Sequence, residues 1–249
     1  MQTFRMIPFR YFDAFTNMAL DEAIMEAVRC GESLPTIRFY GWQPSAVSIG
    51  IFQGIRNEVN LAAASEAGVD VVRRQTGGGA VYHDSEGEVT YSLICPIEFF
   101  PRNVLKSYEV ICDDIVSALG SLGLDAHFVP INDIQVGEQK ISGNAQTRRN
   151  SILLQHGTIL YSVDVEKMFK LLSVSEEKIS DKLVKSVRKR VTCVSSLTTA
   201  SIENLTDALE LGFSRDRNIV KGDYTLWELE RARVLAKEKY STEAWNFKL

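Results

Sequence analysis

The stretch RRQTGGGAV, residues 73–81, places three consecutive glycines between two arginines and an apolar pair typical of a β-strand. Glycine serves in tight turns, and also where the backbone must approach a ligand closely, because it has no Cβ. Consecutive backbone N–H groups can bind an anion, and Arg73 and Arg74 can clamp a carboxylate or phosphate. No Lys-Ser/Thr follows, so the stretch is not a Walker A loop. A turn and a binding surface are equally good interpretations of these residues alone.

The composition on either side of this stretch is that of an ordinary globular protein. The 249 residues are 45% hydrophobic and 24% charged. The formal net charge of −4 argues against broad nucleic-acid binding. We find neither a signal peptide nor an apolar run long enough for a membrane span. The four cysteines are widely spaced, which disfavours a disulfide framework or a zinc site. We therefore expect a cytoplasmic protein that binds neither nucleic acid nor membrane.

Hydrophobic periodicity predicts an α+β fold in one domain, residues 1–249, with a helical lobe from about residue 164. Neighbouring strands are joined by short turns and do not alternate strictly with helices, which favours antiparallel pairing. Strands are predicted at 36–42, 45–52, 69–74, 81–82, 89–96, 126–129, 133–136, 139–142 and 151–163. Helices are predicted at 14–29, 58–67, 102–122, 164–172, 175–189, 202–214 and 224–239.

A second candidate segment is EQKISGNAQTRR, residues 138–149, which carries Lys140. A single lysine is most often a solvated surface residue. Beside a glycine-bearing turn it can instead be a fixed cation that stabilises charge developing in a transition state. The basic stretch 178–194 has the same two interpretations, a solvated helix face or a cationic segment near an anionic ligand. Carboxylates that can help hold Mg²⁺ through nucleotide phosphates are Asp84, Glu86, Glu88 and Asp133.

Four segments follow one another along the chain: RRQTGGGAVYHD (73–84), NDI (132–134), QKISGNAQ (139–146) and LQHGTIL (154–160). Together they resemble the lipoate–protein ligase A family of the biotin/lipoate ligase superfamily. Further matches extend this resemblance over nearly the whole chain: NMALDEAI (17–24), RFYGWQPSAVSIGIFQ (38–53) and KEKYSTEAWN (237–246). The resemblance implies an α+β fold around a mixed, largely antiparallel sheet flanked by helices.

The resemblance also implies an ATP-dependent reaction that uses Mg²⁺. In that reaction the carboxylate of lipoate or octanoate attacks the α-phosphate of ATP and gives an acyl-AMP. The acyl group then passes to the lysine ε-amine of a lipoyl carrier domain, of the 2-oxoacid dehydrogenase E2 or glycine cleavage H protein type. Many ligases of the family carry a small C-terminal accessory domain that is absent from this sequence. We therefore expect either a separate accessory subunit or a protein that works without one.

The resemblance assigns roles to particular positions. Lys140 matches the catalytic lysine, and Asp133 would position either Mg²⁺ or that lysine. The residues implied to bind substrate or nucleotide are Arg73, Arg74, Thr76, Gly77, Gly78, Gly79, Val81, His83, Asp84, Ser142, Gly143, Ala145, His156 and Gly157. The loop DSEGEVTYS (84–92) is longer and more acidic than the family's usual form, so the nucleotide contacts there depart from its pattern.

Three other functions remain as alternatives to the predicted ligase. FYGWQPSAVSIGIFQ and ISGNAQTRRNSILLQHGTIL also resemble a cysteine-dependent branch that moves octanoyl from acyl carrier protein through a thioester. Its nucleophilic cysteine is expected at about 126–139, where this sequence has none. A biotin ligase fits less well, because the glycine stretch lacks the Gly-Arg-Gly-Arg pattern. A non-catalytic module that binds the carrier domain would share the fold.

Overall fold

Two β-sheets form the centre of the fold in the computed structural model, which describes residues 1–172 and 189–249. The strands are β1 Thr3–Phe12, β2 Thr36–Trp42, β3 Ala46–Ile49, β4 Asp70–Arg73, β5 Val81–His83, β6 Glu88–Pro96, β7 Ala126–Val129, β8 Asp133–Val136, β9 Gln139–Arg149, β10 Ile152–Leu160 and β11 Asn218–Lys221. Eight strands form one sheet in the order β11-β1-β2-β6-β10-β9-β8-β7, and β4-β3-β5 form the other. β1 pairs in parallel with β2 and β11, as β3 does with β4, and the other pairs are antiparallel. The predicted α+β class with a mixed, largely antiparallel sheet is confirmed.

The described helices flank these sheets. They are α1 Ala14–Cys30, α2 Ile55–Glu58, α3 Leu61–Glu66, α4 Val104–Ser121, α5 Val165–Leu171, α6 Val194–Leu197, α7 Ile202–Ser214, α8 Leu226–Leu235 and α9 Glu243–Asn246. A 3-10 turn spans Ile97–Phe99, and a π-helical turn at Ala236–Tyr240 continues α8. Among the residues described, no helix is both long enough and apolar enough to cross a membrane.

The large sheet is covered on both faces, because alternate residues of a strand point to opposite sides. Phe39 of β2 belongs to the core beneath α4 and α7, where Ile115 and Leu209 are buried. Its neighbour Tyr40 belongs to the core beneath α1 and α8. This layering leaves the small sheet beside the large one, and the candidate site lies where the two meet.

Several elements differ from the sequence-based expectation, and three strands illustrate this. Strand β1 was not predicted, because Pro8 interrupts its pattern, and the pairing with β2 shifts register there, between Ile7 and Arg10. Strand β11 was also not predicted. The short strand expected at 139–142 is the beginning of the longer β9. All but the last residue of the helix predicted at 175–189, and residues 178–188 of the basic stretch 178–194, lie outside the described residues.

A buried carboxyl on α4 makes stability depend on pH. Asp114 lies 2.8 Å from the Arg217 guanidinium, but burial outweighs this pairing and raises the pKa of Asp114 to about 6. The folded protein therefore holds a proton that the unfolded chain has already lost, and stability from this carboxyl declines as pH rises from about 4 to about 6. The difference corresponds to up to about 3 kcal/mol.

We therefore expect Asp114→Asn to remove this dependence. The free energy of unfolding should be measured in urea for both proteins. Relative to the wild type, that of the variant should increase by about 1–3 kcal/mol between pH 4 and pH 7. A constant offset from the altered Arg217 contact does not affect this trend. A difference that stays flat across the range would show that Asp114 keeps an ordinary pKa.

Candidate active site

A pocket of about 340 Å³ opens where β3, β5, β9 and β10 approach one another, a size at the lower end of small-molecule sites. The described part of its wall is mixed in character. Its apolar and aromatic side chains include Met18, Tyr40, Trp42, Val81, Leu160, Val163, Met168, Leu172 and Val191. Its polar side chains include Ser48, Arg74, His83, Glu88, Asn132, Lys140, Ser142, Asn144 and His156. An apolar chamber with a few convergent polar groups suits a ligand with a hydrocarbon part and one reactive end.

Arg74 holds the glycine stretch in place from within the protein. Its Nη2 donates to the carbonyl oxygens of Gly77 and Gly79, at 2.8 and 2.7 Å. Gly78 between them has φ +99°, and a Cβ there would lie 2.8 Å from the same Nη2. This glycine is therefore required both by its backbone conformation and by the close approach of Arg74. The glycine stretch therefore forms both a tight turn and a part of the pocket wall.

No carboxylate pairs with Arg74 among the described residues, since its other donors contact Thr76 Oγ1 and both oxygens of Ser48. Burial lowers the pKa of Arg74 to about 10, so the guanidinium stays charged at neutral pH. A buried cation without a counter-ion stabilises negative charge that develops on a ligand beside it.

Arg73 does not face the pocket. Its side chain is fully buried, and the guanidinium donates to backbone oxygens of Gly50, Ile51, Gln53, Trp245 and Asn246. Asn246 returns a contact by accepting from the Arg73 backbone N–H at 2.8 Å. Arg73 thus ties the C-terminal segment to the loop after β3, behind the glycine stretch.

Lys140 and Asp133 form an ion pair across β8 and β9, with Nζ 2.7 Å from Oδ1 and the two side chains 40% and 30% exposed. A bulge in the pairing of these strands falls next to Lys140. The lysine stem lies over Gly143, where a Cβ would come within 2.9 Å of both Cε and Nζ. The backbone of Lys140 is fixed as well, by bonds to Arg190 and Thr192. The wall of the pocket therefore carries a positioned ammonium group.

His156 on β10 lies between a hydroxyl and a carboxylate. Its Nε2 is 2.7 Å from Thr76 Oγ1, and its Nδ1 is 3.1 Å from Asp21 Oδ2. Burial lowers the pKa of His156, although the hydrogen bond to Asp21 opposes it. The neutral ring therefore donates from Nδ1 to Asp21 and accepts from Thr76 at Nε2. Asp21 is held in turn by Arg38, whose Nε lies 2.9 Å from Oδ1.

His83 has a similar arrangement in the small sheet. Its Nε2 is 2.8 Å from Ser48 Oγ, and its Nδ1 is 2.6 Å from Glu88 Oε1. The ring stacks on Trp42, with centroids 4.0 Å apart. The sequence-based interpretation missed Ser48 entirely and treated Glu88 only as a metal ligand. The available signals were a serine inside the otherwise apolar strand AVSI (46–49) and a glutamate at the start of the strand EVTYSLICP (88–96).

The structure brings most of the predicted site residues to one pocket. Those that line it are Arg74, Gly78, Gly79, Val81, His83, Asp84, Lys140, Ser142, Gly143, Ala145, His156 and Gly157. Thr76, Gly77 and Asp133 lie outside this wall and contact residues that form it, whereas Arg73 hydrogen-bonds to residues away from the pocket.

Asp84 and its loop are already bonded within the protein. Its Oδ2 accepts from the Tyr82 hydroxyl at 2.7 Å and lies 3.6 Å from Lys167 Nζ. The carbonyl of Gly87 accepts from Tyr161 and Ser162. Asp133 is paired with Lys140, and within residues 1–172 and 189–249 no three His, Cys, Asp or Glu side chains are grouped as metal ligands.

The fold and the pocket, with a positioned lysine in its wall, match one family of catalytic domains. The chain belongs to the family of the lipoyl protein ligase A/B catalytic domain, whose sequence profile matches residues 13–214. A relative named octanoyltransferase LipM from Geobacillus kaustophilus is 37% identical, with 99% of each chain covered.

Two solved structures are similar over the same length. One is a bipartite lipoate protein ligase from Thermoplasma acidophilum, studied with its E2 lipoyl domain, at 34% identity and TM-score 0.89, covering 99% of this chain and 97% of that one. The other is a lipoate-protein ligase A bound with ATP, at 30% identity and TM-score 0.84, covering 99% of each chain. The fold is thus shared by both activities of the family.

The expectation of an ATP-dependent lipoate–protein ligase, with ATP, Mg²⁺ and lipoate, is wrong. Two curated relatives that match this chain over 99% and 100% of its length are named octanoyltransferase LipM. The motifs behind that expectation, the glycine stretch and the segments around Lys140 and His156, line one pocket with a fixed cation in its wall. Relatives named octanoyltransferase and solved lipoate ligases both match this chain over its length, so these motifs do not distinguish the two activities.

Proposed function

We propose that this protein transfers a medium-length acyl group of the octanoyl type from a protein-bound thioester to the ε-amine of a lysine on a lipoyl carrier domain. The observation that carries the proposal is the apolar pocket with Lys140 in its wall, in a chain 37% identical along its length to an octanoyltransferase. A thioester is already activated for attack by an amine, so the reaction requires no phosphoanhydride. The lipoyl domain is proposed as acceptor because a neighbour of TM-score 0.89 was studied with one.

The pocket residues have plain roles in this reaction. The aromatic and aliphatic wall would bind the hydrocarbon chain, which gains about 0.8 kcal/mol for each buried CH₂. Lys140 and Arg74 would stabilise the oxyanion that forms when the acyl carbonyl is attacked. His83 and His156 can each accept a proton at Nε2 while a carboxylate holds the opposite nitrogen.

An accessory polypeptide belongs to the same proposal, because the Thermoplasma neighbour is described as bipartite. It would assist docking of the carrier domain. Acyl transfer measured with this chain alone, and then with a candidate partner added, tests this component separately from the chemistry.

The deciding experiment mixes the purified protein with octanoyl–acyl carrier protein and a lipoyl domain, without ATP. Intact mass should show one octanoyl group added to the domain and none added to a domain whose acceptor lysine is replaced by arginine. An acetyl thioester lacks six methylenes, a loss of about 5 kcal/mol of burial, and should be a poor donor. Acylation that occurs only from free octanoate with ATP and Mg²⁺ would refute the proposal.

A further inference from the structure

Ser48, His83 and Glu88 form a continuous hydrogen-bonded chain along the pocket wall. The distances are 2.8 Å from Ser48 Oγ to His83 Nε2 and 2.6 Å from His83 Nδ1 to Glu88 Oε1. All three residues line the pocket. A hydroxyl, an imidazole and a carboxylate in this order are the arrangement that activates a serine as a nucleophile.

The fold places this chain through strand pairing. Ser48 of β3 is opposite Val81 of β5, and His83 lies two residues further along the same strand, opposite Ala46. Side chains two residues apart share a face of the sheet, so the imidazole reaches Ser48 diagonally. Glu88, five residues after His83, is the first residue of β6. Its carboxylate accepts a hydrogen bond from the Thr90 hydroxyl at 2.8 Å, which fixes its position.

The hydrogen bonds also determine where the protons lie. The Glu88 carboxylate can only accept, so Nδ1 of His83 carries the hydrogen, and in the neutral ring Nε2 is free to accept. The Arg74 guanidinium can only donate, and its Nη1 lies 3.1 Å from Ser48 Oγ. The Ser48 hydroxyl therefore accepts from Arg74 and directs its own proton to His83. Trp42 stacks on the imidazole and holds its plane.

The second hydrogen-bonded chain, at His156, differs in one respect: its hydroxyl group does not face the pocket. Thr76, His156 and Asp21 have matching contacts, but Thr76 is fully buried and does not line the pocket. Of the two hydroxyls bonded to a histidine, Ser48 is therefore the one that a ligand in the pocket can meet.

The cysteines are placed elsewhere. All four lie within the described residues, and none lines the pocket. Cys95 and Cys112 belong to the core beneath α4, and burial raises the pKa of Cys112 to about 12. A buried thiol of this kind is a weak nucleophile, because the thiolate is the reactive form.

We propose that Ser48 is the nucleophile that accepts the acyl group, with His83 as its base and Glu88 orienting His83. The inference rests on the proposed acyl transfer. Ser48 Oγ attacks the thioester carbonyl while its proton moves to His83 Nε2. The C–S bond then breaks, and the departing thiolate takes that proton. An octanoyl ester on Ser48 and a free thiol result.

The second half of the reaction regenerates the free hydroxyl of Ser48. The neutral lysine amine of the carrier domain attacks the ester carbonyl and forms a C–N bond. The C–O bond to Ser48 breaks, and the proton lost by the amine reaches Oγ through His83. The sum is thioester plus amine giving amide plus thiol, with no other reactant. Lys140 and Arg74, which line the same pocket, would stabilise the oxyanion in both steps.

The test isolates the acyl-enzyme. Wild-type protein is incubated with octanoyl–acyl carrier protein and no acceptor, and is digested and mapped by mass. The octanoyl group should lie on the peptide containing Ser48 and resist neutral hydroxylamine, which cleaves thioesters but leaves oxygen esters. On adding the lipoyl domain, the label should move to it.

Variants separate the chemical role from a structural one. Ser48→Ala should remove the acyl-enzyme and lower transfer by about 10³-fold or more. Ser48→Cys should restore labelling but make it sensitive to hydroxylamine, a change that packing alone cannot produce. Ser107→Ala replaces an equally buried, hydrogen-bonded serine on α4 outside the pocket and should leave transfer unchanged.

The outcomes distinguish the two proposals. A label on any cysteine, or full transfer by Ser48→Ala, would overturn the assignment of Ser48 while leaving acyl transfer intact. No transfer by the wild type from the thioester donor would instead defeat the proposed function itself.

Discussion

Replacing Lys140 with alanine is expected to lower acyl transfer to the lipoyl domain by about 10²–10³-fold, the usual loss for one oxyanion-stabilising group. The ammonium is held 2.7 Å from Asp133, over a glycine that leaves room for its stem. A cation fixed in advance costs little reorganisation when negative charge develops on the acyl oxygen. The measurement is the initial rate of domain acylation, with donor and acceptor each varied.

The fold should be unaffected by this change, because an ion pair exposed to this degree contributes about 0–1 kcal/mol. Lys106→Ala is the matched control: it removes a lysine 3.0 Å from Glu109 on α4, outside the pocket. We expect that variant to transfer normally. A Lys140→Ala protein that unfolds like the wild type and keeps its rate would remove Lys140 from the mechanism.

The two arginines before the glycines show how far the sequence could predict the site. The motif indicated that both would clamp a ligand. Arg73 is the last residue of β4 and Arg74 follows it, and adjacent residues of an extended chain point to opposite sides. Only one of the two could face the pocket. Which one did so depended on how β4 pairs with β3, which local pattern does not determine.

No local sequence pattern could predict the two hydrogen-bonded chains that contain His83 and His156. Asp21 and His156 are 135 residues apart in sequence, and meet because α1 packs on the sheet next to β10. Ser48 and His83 meet only through the pairing of β3 with β5. Sequence reasoning found the histidines by their position in family motifs. Their partners are set by tertiary packing.

The error in function has a similar origin. The glycine stretch, Lys140 and His156 line one pocket, and proteins named as ligases and as octanoyltransferases both match this chain over its length. These motifs identify the family, but they do not separate a free-acid donor from a thioester donor. The ligase expectation therefore went further than these residues allow, and the relatives of this chain corrected it.

Arg38→Met is expected to be strongly destabilising, by about 3–5 kcal/mol, because it leaves the buried carboxylate of Asp21 without its ion-pair partner. Arg38 is fully buried, and its Nε lies 2.9 Å from Asp21, which is itself 2% exposed. Burial alone would raise the pKa of Asp21, but Arg38 outweighs it with help from His156, so the pKa is lowered. Stability due to Asp21 is therefore present above its ordinary pKa and is lost only as pH falls through the lowered value.

The pH dependence of the variant supplies the sharper test. Without Arg38, burial raises the Asp21 pKa above its ordinary value, and the carboxyl takes up a proton as pH falls. The deficit of Arg38→Met in urea unfolding should therefore be larger at pH 7 than at pH 4. Adding Asp21→Asn should recover much of the loss at pH 7, because no buried charge is left. Arg233→Met, which breaks the exposed pair with Glu230, should change stability by less than about 1 kcal/mol. A deficit that is independent of pH and unrelieved by Asp21→Asn would mean that Arg38 stabilises the fold by packing over Tyr40, not by its charge.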